Sequence, residues 1–336
     1  MINSVQENGR NLRSHRTARV AALALLLTLF FDPRGRECAF GQPSGPNSVK
    51  IVRDIPYVPG GDPAQKLDLY LPEQPSDKPL PLVIWIHGGG WEAGSKDGCY
   101  FQFLVGQGYA AASIEYRFSQ KALFPAQIQD CQAAIRWLRS NSKKYNIDPK
   151  HFGVGGDSAG GHLSALVGTA GGKKAFAPIG GNEGESDRVQ AVVDFYGPAD
   201  FNAVMSQAAA DKTKSAFNFN HGDPYSKLIG VDLGADTAKG DAVSPVHYVG
   251  RDSPPFLILH GSVDNLVPFA QSVELQDDLH KVGVEAILQR FPNSGHGGPA
   301  FNLPAVHQLI KDFFDKYLKR ERIKIETLPD SVVSPR

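Results

Sequence analysis

The sequence predicts an α/β fold: a mostly parallel sheet with helices packed on both faces. From residue 80 onward, short apolar runs alternate with segments of helical periodicity, the rhythm of successive strand–helix units. Several of those runs are continuously apolar instead of alternating, as strands covered on both faces require. Residues 201–246 break the rhythm with a polar stretch rich in Gly, Asp and Ala. A stretch that long inside a compact domain is usually a lid or binding loop.

The elements follow in order. Residues 49–58 and 66–71 read as short strands, the second with Leu67, Leu69 and Leu71 on one face. PLPLVIWIH (79–87) and residues 109–116 read as buried strands. Pro125 opens a helix, where its missing N–H costs nothing; Ile128, Cys131, Ile135 and Leu138 follow at helical spacing. HFGVG (151–155) is a short strand, and residues 158–168 can be helical. Buried strands recur at 190–196 and 255–260, a helix at 272–282 and a strand at 285–291. Val306, Leu309, Ile310, Phe313, Phe314, Tyr317 and Leu318 mark an amphipathic last helix.

The 336 residues carry 41% apolar and 21% charged side chains and no net charge. That is enough for a full core, and it offers no basic field to attract nucleic acid. Near the start, Arg10, Arg13, Arg16 and Arg19 precede the apolar run VAALALLLTLFF (20–31). A membrane span needs about 20 residues, whereas a signal-peptide core needs about 7–15. Ala39-Phe40-Gly41 places small residues for cleavage before Gln42. The expected organisation is a signal peptide at 1–41, one α/β domain at 42–321 with the insertion at 201–246, and a loose tail at 322–336. Export to a secreted or periplasmic location, with no membrane span after processing, is the matching expectation. Cleavage removes Cys38 and leaves Cys99 and Cys131, either a disulfide in an oxidising compartment or two buried thiols.

GVGGDSAGGHLSA (153–165) contains a G-x-S-x-G centred on Ser158. Alone, that pattern is weak in a chain with 35 glycines. Its context, after an apolar strand and before a helix, is that of a nucleophile elbow. A serine hydroxyl needs a base to take its proton and donors for the tetrahedral oxyanion. HGGGW (87–91), directly after a buried strand, supplies bare backbone N–H groups. The candidate donors are Gly89, Gly90 and Ala159, with Gly88 able to replace one. Among seven histidines after the serine, His296 in NSGHGG lies between the final strand and the last helix. His221 is the weaker alternative. His162 and His260 read as packing or structural residues. Asp264, on the loop after PPFLILH, is the candidate acid, with Asp200 as fallback. The order Ser158, Asp264, His296 is that of one large hydrolase class. No metal-ligand spacing occurs and no cofactor is expected.

With these landmarks in this order, the chain resembles the α/β-hydrolase superfamily. HGGGW and GDSAGG are similar to the hormone-sensitive-lipase-like and acetyl-esterase branch. Residues 116–141, 156–168 and 253–272 resemble bacterial secreted esterases of the bifunctional feruloyl and acetyl-xylan esterase type. The resemblance spans roughly residues 50–320. It implies a serine esterase acting on short-chain, acetyl or feruloyl esters of small molecules or carbohydrates. One departure is the acid loop, G-S-V-D-N, where relatives often carry a charged residue and a proline. Phe217, Phe219 and Tyr225 in the insertion are candidates for an aromatic acyl pocket. The rival readings are a serine peptidase of prolyl-oligopeptidase type and a non-catalytic binding protein on the same fold.

Overall fold

The computed structural model describes residues 48–211 and 222–334. The expected signal peptide (1–41), and Phe217, Phe219 and His221, lie outside them. Among the described residues, eight strands form one sheet in the order β1-β2-β4-β3-β5-β6-β7-β8. They are β1 (Val49–Pro56), β2 (Lys66–Pro72), β3 (Leu80–Ile86), β4 (Ala110–Ile114), β5 (Ile147–Asp157), β6 (Ala191–Phe195), β7 (Phe256–Gly261) and β8 (Ala286–Phe291). The strands from β4 through β8 pair in parallel, while β1 and β2 add an antiparallel margin. The antiparallel start follows from the short connection between β1 and β2, since a parallel crossover needs about a dozen residues or more.

The helices are α1 (Ala126–Ser140), α2 (Ser142–Tyr145), α3 (Ala159–Ala170), α4 (Val204–Ala210), α5 (Pro224–Ile229), α6 (Thr237–Val243), α7 (Phe269–Lys281), α8 (Pro304–Leu318) and α9 (Asp330–Val333). Ile128, Ile135 and Leu138 of α1, Leu163 and Leu166 of α3, and Leu275 and Leu279 of α7 fill the core on one face of the sheet. Val306, Ile310, Phe313 and Phe314 of α8, with Phe101 and Leu104 of a 3₁₀ turn, fill the other. Both faces are therefore covered, which is why β3, β6 and β7 carry the apolar runs LVIWI, AVV and FLIL. Glycine matters at one core position. A Cβ on Gly155 would lie 2.6 Å from both Phe101 Cζ and the Val193 carbonyl oxygen, so its absence lets that aromatic ring lie against β5.

The insertion at 201–246 is not a loop. Its described part folds as α4, α5 and α6, and the side chains of Asp223 and Asp236 cap α5 and α6.

One open alternative is decided and one expectation is corrected. Cys99 and Cys131 are free thiols, not a disulfide. Cys131 sits in the core under α1 and α3, whereas Cys99 packs with the α8 side, so the sheet separates them. The segment from residue 322 is not a loose tail. Ile325 and Leu328 pack on the α8 side, and Val333 is fully buried there. Leu328 N–H donates to Gln289 Oε1 on β8 at 2.6 Å.

Candidate active site

β5 runs into Ser158, which stands between the strand and α3 with φ 54° and ψ −116°. A non-glycine residue in that region is strained by about 1–3 kcal/mol and persists where its surroundings fix it. Here the Ser158 N–H donates to the Phe195 carbonyl at 2.8 Å, and the His162 N–H donates to the Ser158 carbonyl at 2.9 Å. The turn also requires Gly160, because a Cβ there would lie 2.0 Å from the Ile86 carbonyl oxygen. The start of α3 is thus pressed against the end of β3, where HGGGW begins.

That loop is tied down on several sides. The His87 ring stacks on Tyr116 with centroids 4.5 Å apart. Its Nε2 lies 3.0 Å from Glu115 Oε1, and its Nδ1 lies 2.8 Å from the Gly88 carbonyl oxygen. Tyr116 donates its hydroxyl to the His87 carbonyl at 3.0 Å. The Gly88 N–H donates to Asp157 Oδ1 at 2.9 Å. Burial raises the Asp157 carboxyl, and the Gly88 N–H partly offsets this. Gly88 is therefore corrected as an oxyanion donor, since its N–H is already engaged. No hydrogen bond among the described residues engages the N–H of Gly89 or Gly90. Ala159 opens α3, where the first N–H groups have no partner within the helix.

Beneath the loop, buried Trp91 donates its indole N–H to His162 Nδ1 at 3.2 Å. The other nitrogen of His162, Nε2, lies 2.8 Å from the Val243 carbonyl. A carbonyl only accepts, so Nε2 carries the proton and Nδ1 is the acceptor. Burial holds the imidazole neutral, with its pKa pushed down to about 4. His162 is a packing residue, as its place one turn after the serine implied.

The side of the site that carries Asp264 and His296 is built from β7, β8 and the loops after them. Asp264 is 1% exposed. Its Oδ1 accepts from the Leu266 and Val267 N–H groups at 2.8 and 3.0 Å. Its Oδ2 lies 2.7 Å from His296 Nδ1 and 3.2 Å from His260 Nε2. Burial alone would raise this carboxyl; the hydrogen bonds from His260 and His296 outweigh it and hold Asp264 well below the usual range. His296 Nε2 lies 2.8 Å from Ser158 Oγ. The His296 ring also packs at 4.6 Å against Tyr196, itself at φ 44°.

The structure thus brings Ser158, Asp264 and His296 together. Asp200 is elsewhere, its Oδ1 accepting from the Asn202 and Ala203 N–H groups ahead of α4. Tyr225 is corrected as an open pocket residue. It is 2% exposed, with its ring against Trp91 and Phe201. The insertion still approaches the site, because Pro224 lies 3.3 Å from where a Gly90 Cβ would stand. Sequence reasoning missed the hydrogen bond of His260 to Asp264, the tether of Asp157 to Gly88 and the packing of Tyr196 on His296. The first had a signal: His260 and Asp264 are four residues apart on the turn that carries the acid. Among the described residues, no group of three His, Cys, Asp or Glu side chains is arranged to hold a metal ion.

The family model described as BD-FAE matches residues 67–279. Esterase LipC of Mycobacterium tuberculosis is 33% identical over 71% of this chain and 58% of its own length. The chain therefore spans less than two thirds of that relative. A truncated carbohydrate esterase from gut microbiota is 32% identical and superposes with a TM-score of 0.73, covering 82% of this chain and 98% of its own. An acetyl ester-xyloside bifunctional hydrolase from Caldicellulosiruptor lactoaceticus is 30% identical, with a TM-score of 0.60 over 78% of this chain and 92% of its own. The chain belongs to the BD-FAE family and has the α/β-hydrolase fold.

Proposed function

We propose that the protein is a serine carboxylic-ester hydrolase that works through an acyl-enzyme on Ser158. The observation that carries this reading is the unbroken path from Ser158 Oγ through His296 to Asp264, with links of 2.8 and 2.7 Å. His296 takes the Ser158 proton as the oxygen attacks the ester carbonyl, and Asp264 stabilises the resulting imidazolium. The N–H groups of Gly89, Gly90 and Ala159 receive the oxyanion. His296 then protonates the leaving alcohol, and water repeats the cycle on the acyl-enzyme.

The proposed substrates are acetyl and other short-chain esters of carbohydrates. The support is likeness to a carbohydrate esterase and an acetyl ester-xyloside hydrolase. Burial of Tyr225 favours acetyl over feruloyl groups, since it withdraws one of the three aromatics expected to line an acyl pocket.

Assays with p-nitrophenyl acetate, butyrate and decanoate, methyl ferulate, acetylated xylan and an aminoacyl anilide test both parts. Turnover should be highest on the acetyl substrates and absent on the anilide. Ser158→Ala should lower kcat by about 10⁴-fold or more with the fold intact. Unchanged turnover in that variant would end the nucleophile assignment.

A further inference from the structure

Asp264 is held by two imidazoles. His260 is fully buried at the end of β7, and its Nε2 faces both Asp264 Oδ2 at 3.2 Å and the Val267 carbonyl at 3.1 Å. Both partners accept, so Nε2 carries a proton. Its Nδ1 lies 2.6 Å from Ser272 Oγ on α7. With that contact at Nδ1 and the two acceptors at Nε2, the ring is held in one orientation. Four N–H groups then converge on one carboxylate: the Leu266 and Val267 backbone on Oδ1, and the two imidazoles on Oδ2.

We propose that His260 is a positioning residue for proton transfer, fixing the Asp264 carboxylate so that Oδ2 points at His296 Nδ1. This rests on the reading of Ser158, His296 and Asp264 given above. The backbone pair holds Oδ1, His296 shares Oδ2, and His260 adds a buried donor to Oδ2 that does not itself take part in the proton transfer.

The neighbouring elements agree with this assignment. From α7 come Ser272 and the Phe269 ring, 5.4 Å from that of His260. Glu274 on α7 bonds to Gln207 instead. From the end of β6, Tyr196 lays its phenol against both imidazoles. The charged group on the serine side is Asp157, which acts on His296 through space. Tyr225 lies within electrostatic reach of Asp264, and burial keeps its phenol un-ionised.

The test uses His260→Leu and His260→Gln in the full chain, assayed on p-nitrophenyl acetate across pH, with thermal melting to report folding. His260→Leu should lower kcat by roughly 10- to 100-fold, because a misaligned reacting group costs on that scale, and leave KM within about twofold. Removing one donor from Asp264 strengthens its hold on the His296 cation. The acid limb of the kcat/KM profile should therefore move up by roughly half a pH unit or more. His260→Gln, whose amide can donate to Oδ2, should regain most of the rate and the original limb. A folded His260→Leu with unchanged kcat and limb overturns the proposal. So does equal loss in both variants with an unmoved limb, the mark of a purely structural residue. If His260→Leu does not fold, Ser272→Ala, which removes the contact that holds the His260 ring at Nδ1, should lower kcat and move the limb in the same direction; no change in either overturns the proposal. Ser158→Ala separates the two questions. Its inactivity beside an unaffected His260→Leu refutes the positioning role alone, and its activity refutes the underlying reading.

Discussion

The two halves of the site are built from different materials. On the β3–β5 half, HGGGW and the elbow offer backbone N–H groups, and their shape is set by contacts that leave no room for a Cβ. On the β7–β8 half, the working groups are side chains, and their shape is set by hydrogen bonds converging on one buried carboxylate. The first half depends on close packing of main chain, the second on charge. Their sensitivities should differ accordingly: the first to added volume, the second to changed polarity.

The largest effect should come from breaking the charged half without changing its size. Asp264→Asn keeps the volume but presents an amide to His296, favouring the wrong tautomer. A fall in kcat of about 10⁴-fold is expected, by analogy with the same change in other serine triads. Melting temperature near that of the wild type would show that charge, not packing, was lost. A kcat within tenfold would place the acid elsewhere.

The next effect should come from the packed half. Gly160→Ala adds one methyl group, 2.0 Å from the Ile86 carbonyl and 2.7 Å from that of His87. Both obstacles are backbone, so the oxyanion loop must move. A loss of about 3 kcal/mol in chemical denaturation is expected, as for overpacked cores, together with reduced turnover. A stable, fully active variant would show that the two chain segments are less tightly apposed than described.

The smallest effect sharpens the contrast. Titration on the charged half should appear in rate, whereas titration beneath the elbow should appear in stability. Asp194 is buried, and among the described residues its Oδ2 has no hydrogen-bond partner. Burial pushes its carboxyl up to about 7, against 3.8 when free, while the Gly197 N–H works the other way. Between those values the folded chain holds a proton that the unfolded chain has lost, so stability falls as pH rises. His162 has the opposite sign. Its folded value of about 4 lies below its free value of 6.5, so it loses stability as pH falls. Asp194→Asn removes the first contribution only. From about pH 5 to about pH 6.5, the variant's unfolding free energy should gain about 2 kcal/mol relative to the wild type's own change. Parallel curves would mean that Asp194 is ionised in the fold.

What was legible in the sequence divides along the same line. The sheet, the sharp turn at Ser158, the glycine loop after β3 and the loops that carry Asp264 and His296 were readable because each is a local pattern beside a strand end. The donor role of Gly88 was misread because the Asp157 side chain that engages its N–H is 69 residues away. Tyr225 was misjudged, and the cysteine pair left open, for a related reason. Which face of a sheet a residue meets depends on strand order, and strand order is not written in any one segment. His260 was read as structural because its partner became visible only when the acid loop folded back over β7.

The segment after α8 carries a consequence for where the folding unit ends. β8 lies at one margin of the sheet, and exposed margins recruit foreign strands into aggregates. Leu328 bonds to Gln289 of that strand, and Val333 is sealed into the core beside it. A recombinant protein stopped at the end of α8 would lose this cover and present apolar surface next to an open strand. The boundary for expression, or for joining another domain or a tag, therefore falls beyond Val333.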